Sequence, residues 1–241
     1  MIVDSSALFE QGVLDVLTSA FGSAGQRCSA LRVLYIQEDI ADDLIHMLKG
    51  AMAELHLGYP GKLSTDVGPV IDEDALEMLE NHFRKMTKTA KIIYQLPLNP
   101  SLEKGYYFPP CAFEIKSIKD LSRETFGPFL HVIRYKASKL DKVLEEINET
   151  GYGLTQGIHS RIDEKVKYIQ GRSKVGNLYV NRNMIGAMVG VQPFGGQGLS
   201  GTGPKAGGPH YLAHLTTERT LTVDTTASGG NASLLTLKED D

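Results

Sequence analysis

Phe129-Leu-His-Val-Ile-Arg-Tyr135, Leu140-Asp-Lys-Val-Leu-Glu-Glu-Ile147, Leu154-Thr-Gln-Gly-Ile158, Glu164-Lys-Val-Lys-Tyr-Ile-Gln-Gly171 and Gly176-Asn-Leu-Tyr-Val180 follow one another along the chain. The first, third and fifth runs are short and read as strands. The second and fourth space their apolar residues as a helix does. Repeated strand–helix alternation predicts an α/β fold, a mainly parallel sheet flanked by helices. The same rhythm extends upstream. Leu31 to Ile36 reads as a strand, and Ile40 to Leu55 as a helix with Ile40, Leu44, Met47, Leu48, Ala51 and Leu55 on one face, ended by Gly58 and Pro60. A further helix is expected over Asp72–Met86 and a short strand over Lys91–Tyr94, followed by a Pro-rich loop from Leu96 to Pro110. At the amino end, Asp4-Ser5-Ser6 resembles a cap, and Val13, Val16, Leu17 and Ala20 predict an amphipathic helix over Asp4–Ala20.

The composition narrows the function. The chain has 241 residues, of which 41% are hydrophobic and 22% charged, enough to bury a substantial core. Its formal charge of -4 offers no electrostatic footprint for nucleic acid or for an anionic membrane surface. No apolar run reaches the roughly 18 residues of a membrane span, and no basic leader precedes an apolar stretch. Cys28 and Cys111 are the only cysteines, too few for a disulfide framework. The expected setting is soluble, reducing and cytoplasmic.

Chemistry concentrates in Phe21-Gly-Ser-Ala-Gly-Gln-Arg-Cys-Ser-Ala30. A thiolate attacks carbonyl carbon far better than a thiol, a neighbouring cation such as Arg27 favours the ionised form, and Gly25 lets a ligand approach the backbone. A nucleophile and a buried inert thiol are both compatible with Cys28 on these grounds. Gln192 to Gly208 is too rich in glycine for a helix or central strand; its irregular order, with Phe194, Leu199 and Lys205 interspersed, predicts an ordered functional loop rather than a spacer. Tyr211–Leu215 reads as a short helix, Glu218–Asp224 as an edge or intersubunit strand, and residues 225–241 as a mobile tail. Residues 1–215 are expected to form the main body, and 216–241 an oligomerisation strand and tail.

Ser23-Ala-Gly-Gln-Arg-Cys-Ser29, Glu124-Thr-Phe-Gly-Pro-Phe129, Gly176-Asn-Leu-Tyr-Val-Asn181 and Pro193-Phe-Gly-Gly-Gln-Gly-Leu-Ser-Gly201, in this order, resemble the catalytic domain of the aldehyde dehydrogenase superfamily. Ala24–Val33, Asp66-Val-Gly-Pro-Val-Ile71 and Asn181–Gly208 are similar, more narrowly, to the glutamate-semialdehyde (1-pyrroline-5-carboxylate) dehydrogenase module of bifunctional proline utilization A proteins. The resemblance covers nearly the whole chain. It implies an NAD-dependent oxidoreductase of proline catabolism that converts L-glutamate γ-semialdehyde to L-glutamate through a cysteine thiohemiacetal and thioester.

Residue by residue, the resemblance places the nucleophile at Cys28, whose backbone N–H supplies an oxyanion donor. It places a ribose-holding carboxylate at Glu124 and the aromatic beside the nicotinamide at Phe126. The substrate carboxylate falls to Ser29 and the N–H groups of Gly186 and Ala187, with Arg27 as a further anchor or a support of the loop. Phe194 falls against the aliphatic part of the substrate; plain core packing is the competing reading. No metal is implied.

The family's general-base glutamate, the asparagine of its oxyanion hole and its Rossmann domain have no counterpart in these 241 residues, and no Gly-x-Gly-x-x-Gly opens a helix in the first half. FAD would belong only to a separate proline dehydrogenase domain. The isolated chain is therefore expected to be inactive in turnover. The expected partners are a small aldehyde and a second copy of the chain, without nucleic acid or a membrane span. The alternatives are an inactive folding and dimerisation unit, a dehydrogenase for another aldehyde, and a cysteine hydrolase using His131, His159, His210 or His214 as base.

Overall fold

The computed structural model describes residues 1–224 and 229. The chain divides into a compact unit, Met1–Gly208, and a second unit that begins at Pro209. In chain order the first unit contains β1 (Ile2–Val3), α1 (Phe9–Phe21), β2 (Val33–Gln37), α2 (Glu38–Ala53), α3 (Glu73–Thr89), β3 (Lys91–Gln95), β4 (Cys111–Glu114), β5 (Phe129–Tyr135), α4 (Leu140–Glu149), β6 (Tyr152–Gly153), β7 (Thr155–His159), α5 (Asp163–Gln170), β8 (Asn177–Val180) and β9 (Gln197–Gly198).

Seven strands form one sheet in the order β3-β4-β5-β2-β1-β7-β8, parallel throughout except where edge strand β3 runs antiparallel to β4. The α/β reading of the sequence is thus met. β5 is buried at every position but Arg134, and Leu34, Tyr35 and Ile36 of β2 are equally enclosed, as strands covered on both faces must be. On α2 the buried side chains Ala41, Leu44, Leu48 and Met52 form one stripe; the helix packs along α1 and over β2 and β5. α3 opens on Asp72, whose carboxylate accepts the Ala75 N–H at 2.9 Å, a side-chain cap for one of the helix's unpaired donors. Phe83, Phe108, Phe113 and Phe129 stack edge-on and face-on under the β4–β5 edge.

One expectation is corrected. The first helix does not start at Asp4. Ile2–Val3 is a sheet strand between β2 and β7, and the Asp4 carboxylate takes the Ser6 N–H at 2.7 Å and the Ser6 hydroxyl at 2.6 Å, closing a local turn instead of a helix cap. α1 begins only at Phe9. Glu218–Asp224, expected as an edge or intersubunit strand, adds no edge strand to the sheet of its own chain: the second unit has a short helix, α6 (Tyr211–His214), and residues 216–224 follow without regular structure. A strand exists only against a partner strand, and among the described residues none pairs with this segment. Of the expected tail, residues 225–228 and 230–241 lie outside the described residues.

The glycine-rich stretch is ordered as expected. β9 pairs antiparallel with β6, and Phe194 and Ala206 exchange backbone hydrogen bonds of 3.1 and 2.9 Å. Asn177 holds the loop at both of its amide atoms, donating to the Pro193 carbonyl at 3.0 Å and accepting the Gly195 N–H at 3.2 Å. The reason for the glycines is visible at Gly176, where a Cβ would lie 1.8 Å from the Gly195 carbonyl oxygen. Two backbones pass there too closely for any side chain.

Candidate active site

Cys28 sits on the loop between α1 and β2. Ser23, Ala24 and Gly25 all take left-handed backbone conformations, with φ of 55°, 53° and 63°. For the two non-glycine residues this costs on the order of 1–2 kcal/mol each. The surroundings enforce the turn. Ala24 is buried, Gln26 N–H returns to the Ser23 carbonyl at 3.0 Å, and Arg27 Nε donates to Ser23 Oγ at 2.9 Å. The Gln26 side chain accepts the Ile71 N–H at 2.8 Å and reaches the Pro69 carbonyl at 3.5 Å, which docks the Asp66–Ile71 motif onto the same loop. Cys28 emerges from this turn exposed, whereas Cys111 is fully buried in β4 and its thiol pKa is pushed well up by burial.

A cavity of about 590 Å³ opens beside Cys28, lined among others by Met1, Arg32, Val33, Glu124 and Thr155. Met1 precedes β1, Val33 begins β2 and Thr155 begins β7. The cavity therefore lies at the amino ends of the parallel strands, opposite to the carboxyl ends where open α/β sheets usually bind ligands. Glu124 Oε1 accepts from Arg32 Nε at 3.0 Å, with the Glu124 side chain about a third exposed, 35%. Phe126 is exposed two residues on, with the Arg32 guanidinium carbon 4.6 Å from its ring centroid.

On the other side of the nucleophile, Ser29 is buried and its Oγ accepts the Gly186 N–H at 3.4 Å. Gly186 has a φ of 71°, and a Cβ there would meet nothing within 4 Å. Ala187 is half-buried beside it. The structure thus bonds Ser29 to Gly186 and places Cys28 and Glu124 on the lining of one cavity. Arg27 is turned back on Ser23, and Phe194 is half-buried and held within the glycine-rich loop by its bridge to Ala206; neither lines the cavity.

Neither histidine of the first unit named as a hydrolase base serves Cys28 here. His131 faces His82, Nε2 to Nε2 at 2.9 Å, and its Nδ1 donates to the Arg32 carbonyl at 3.0 Å; His159 Nε2 faces Asp15 Oδ2 at 3.5 Å. Burial holds both imidazoles below the ordinary histidine pKa. Arg32 and Gln26 also support the site, through long-range bonds that no sequence motif marks. The one available signal was a charge at position 32 opening an otherwise apolar strand, Leu31-Arg-Val-Leu-Tyr-Ile36.

The nicotinamide cofactor implied by the resemblance fits in part. Glu124 keeps acceptor capacity for a ribose diol, and the cavity beside Cys28 supplies room for a ring. Among the described residues, no group of three or more His, Cys, Asp or Glu side chains is arranged to hold a metal ion, and no helix is long and apolar enough to cross a membrane.

The mainly parallel α/β sheet is the fold that the resemblance to the aldehyde dehydrogenase superfamily implies. The chain belongs to the aldehyde dehydrogenase family, whose model matches residues 1–221. It is 57% identical over 224 residues to the bifunctional protein PutA of Klebsiella aerogenes, covering 91% of this chain and 17% of that protein. With the 1-pyrroline-5-carboxylate dehydrogenase of Geobacillus sp. (strain WCH70) it shares 36% identity over 214 residues, 88% of this chain and 41% of that one. Among solved structures, a bifunctional proline utilization A protein superposes with a TM-score of 0.89 at 53% identity, over 95% of this chain and 23% of its own. A 1-pyrroline-5-carboxylate dehydrogenase from Thermus with bound NAD superposes with a TM-score of 0.80 at 34% identity, over 88% and 40%. The chain thus spans well under half the length of these relatives.

Proposed function

We propose that this chain is the cysteine-bearing catalytic portion of an NAD-dependent dehydrogenase that oxidises L-glutamate γ-semialdehyde, formed from 1-pyrroline-5-carboxylate, to L-glutamate in proline catabolism. The observation that carries this reading is the placement of exposed Cys28 between the cavity lined by Glu124 and the buried Ser29–Gly186 pair. Cys28 Sγ adds to the aldehyde carbon, and its backbone N–H stabilises the developing oxyanion. NAD, when bound, supplies the hydride acceptor. Cys28 then carries the acyl group as a thioester, and water releases the acid and frees the thiol. Glu124 holds the ribose hydroxyls and Phe126 flanks the nicotinamide end. The Ser29 hydroxyl and the Gly186 N–H, which bond each other at 3.4 Å, turn to the substrate carboxylate together with the Ala187 N–H. Arg27 adds positive charge to that end, and Phe194 packs on the aliphatic stem.

In this reading residues 1–215 are the catalytic domain and 216–241 the segment through which copies associate. The setting is cytoplasmic, and FAD belongs to a separate proline dehydrogenase domain. The support is the family membership and the resemblance to proteins named for these activities.

The test is NADH formation by the protein expressed from its complete gene. Glutamate semialdehyde should be oxidised, Cys28→Ala should abolish turnover, and an uncharged aldehyde of equal length should be oxidised with a kcat/KM lower by tenfold or more, since it leaves the anion-binding donors unpaired. Equal kcat/KM for the two aldehydes would remove the carboxylate anchor and favour a different aldehyde.

A further inference from the structure

The best-connected side chain of the site is Arg32, for which the proposed chemistry has so far given no role. Its Nε donates to Glu124 Oε1 at 3.0 Å, Nη1 to the Gly25 carbonyl at 2.6 Å and the Gly127 carbonyl at 3.2 Å, and Nη2 to the Arg27 carbonyl at 3.1 Å. Gly25 and Arg27 belong to the turn that carries Cys28. Glu124 and Gly127 belong to the loop that leads into β5. One planar fork therefore ties both loops together, and all three of its nitrogens are used. The Arg32 side chain is only 15% exposed; its bonds to the Gly25 and Gly127 carbonyls are part-buried, those to Glu124 and the Arg27 carbonyl lie toward solvent, and all four are charge-assisted.

The backbone of Arg32 is pinned as well. Its carbonyl accepts the His131 N–H at 3.0 Å and His131 Nδ1 at 3.0 Å. A carbonyl only accepts, so His131 carries its proton on Nδ1, and its Nε2 accepts from His82 Nε2. The base of the fork is thus fixed to β5 and, through His82, to α3. A guanidinium anchored at its root and bonded at its tip works as a spacer of set length.

We propose that Arg32 is a positioning residue that fixes the Cys28 loop and the Glu124 loop relative to each other, so that nucleophile and cofactor carboxylate are set by a single side chain. The proposal rests on the roles given above to Cys28 and Glu124. The role assigned to Arg32 is exerted through Glu124 and the Cys28 turn, which its guanidinium bonds directly. Lysine cannot replace it: an ammonium lacks the planar fork and the reach to acceptors on both loops at once.

The test uses the protein expressed from its complete gene, with Arg32→Lys, Arg32→Met, Glu124→Gln and the Arg32→Met/Glu124→Gln double variant, each verified as folded by circular dichroism. KM for NAD should rise roughly tenfold or more in Arg32→Met, with a smaller change in KM for the aldehyde, because misplacement of the carboxylate weakens the cofactor end selectively. Arg32→Lys should show the same split, and it serves as the readout if Arg32→Met fails to fold. In the double variant the effect on KM for NAD should be no larger than that of Glu124→Gln alone, the non-additivity expected when one residue acts through the other. An unsubstituted protein that forms no NADH overturns the roles of Cys28 and Glu124. An active protein whose Arg32 variants keep the KM for NAD, or whose double variant is simply additive, overturns the coupling alone.

Discussion

At the residue scale, the Cys28 turn shows how close approach and strain are combined. A Cβ on Gly25 would fall 2.1 Å from the Gly127 carbonyl oxygen and 2.8 Å from that of Ala20, at a φ of 63°. Gly186 has a comparable φ of 71°, yet a Cβ there would meet nothing within 4 Å. The two glycines therefore separate conformational strain from backbone collision. Gly186→Ala should cost about 1–2 kcal/mol, the left-handed penalty by itself. Gly25→Ala should cost distinctly more and lower the urea midpoint further, because carbonyl groups cannot move aside as a side-chain tip does. Equal midpoints for the two variants would show that the Gly25–Gly127 contact yields freely. The two thiols differ just as sharply. Cys28 is exposed and Cys111 is sealed with its thiol pKa pushed up, so iodoacetamide should label Cys28 much faster in the native protein and at a similar rate to Cys111 in urea. Peptide mass spectrometry at timed intervals reads both.

At the scale of elements, the His82–His131 contact joins α3 to β5 behind the site. Burial is the main cause that lowers His131 to about 3 and His82 to about 4, aided for His82 by the charges of Lys85 and Arg123. An unfolded histidine titrates near 6.5. Between about pH 6.5 and about pH 4 the unfolded chain therefore takes up protons that the folded chain refuses, so stability is full above this window and falls as pH drops through it. The urea midpoint should decline across that range. His82→Gln, whose amide still donates to His131 Nε2 but does not titrate, should flatten the decline; an unchanged slope would assign it to other groups. The same pair marks the limit of what sequence patterns reveal. The runs at 129–135, 140–147, 154–158 and 164–171 were legible because each repeats its own period over several residues. Ile2–Val3 is only a dipeptide, too short to display a strand's alternation, and Asp4-Ser5-Ser6 imitates a cap because the same side chains that close a helix also close a turn. Arg32, Gln26 and His82 were not legible as site-supporting residues, since their roles come from partners 92, 45 and 49 positions away and not from any local period. Cys28 and Glu124, by contrast, are carried by contiguous motifs.

At the scale of the whole molecule, the first unit carries the exposed Cys28 and the second a segment without regular structure. Leu221 and Val223 are 80% and 63% exposed, at alternate positions of Glu218–Asp224. Alternation of apolar and polar residues on backbone that forms no ladder is the pattern by which a strand is added to another sheet edge, and a second copy of the chain is the partner proposed above. Removal of residues 216–241 takes away that segment while leaving every strand of the described residues and the Cys28 turn in place. Truncation after Leu215 should therefore convert an associated species to a smaller one in light scattering, with the iodoacetamide rate at Cys28 unchanged. If the mass stays the same, assembly belongs to another surface. If the Cys28 rate changes with the mass, the segment completes the site as well as the oligomer, and the division between a catalytic body and an assembly strand fails.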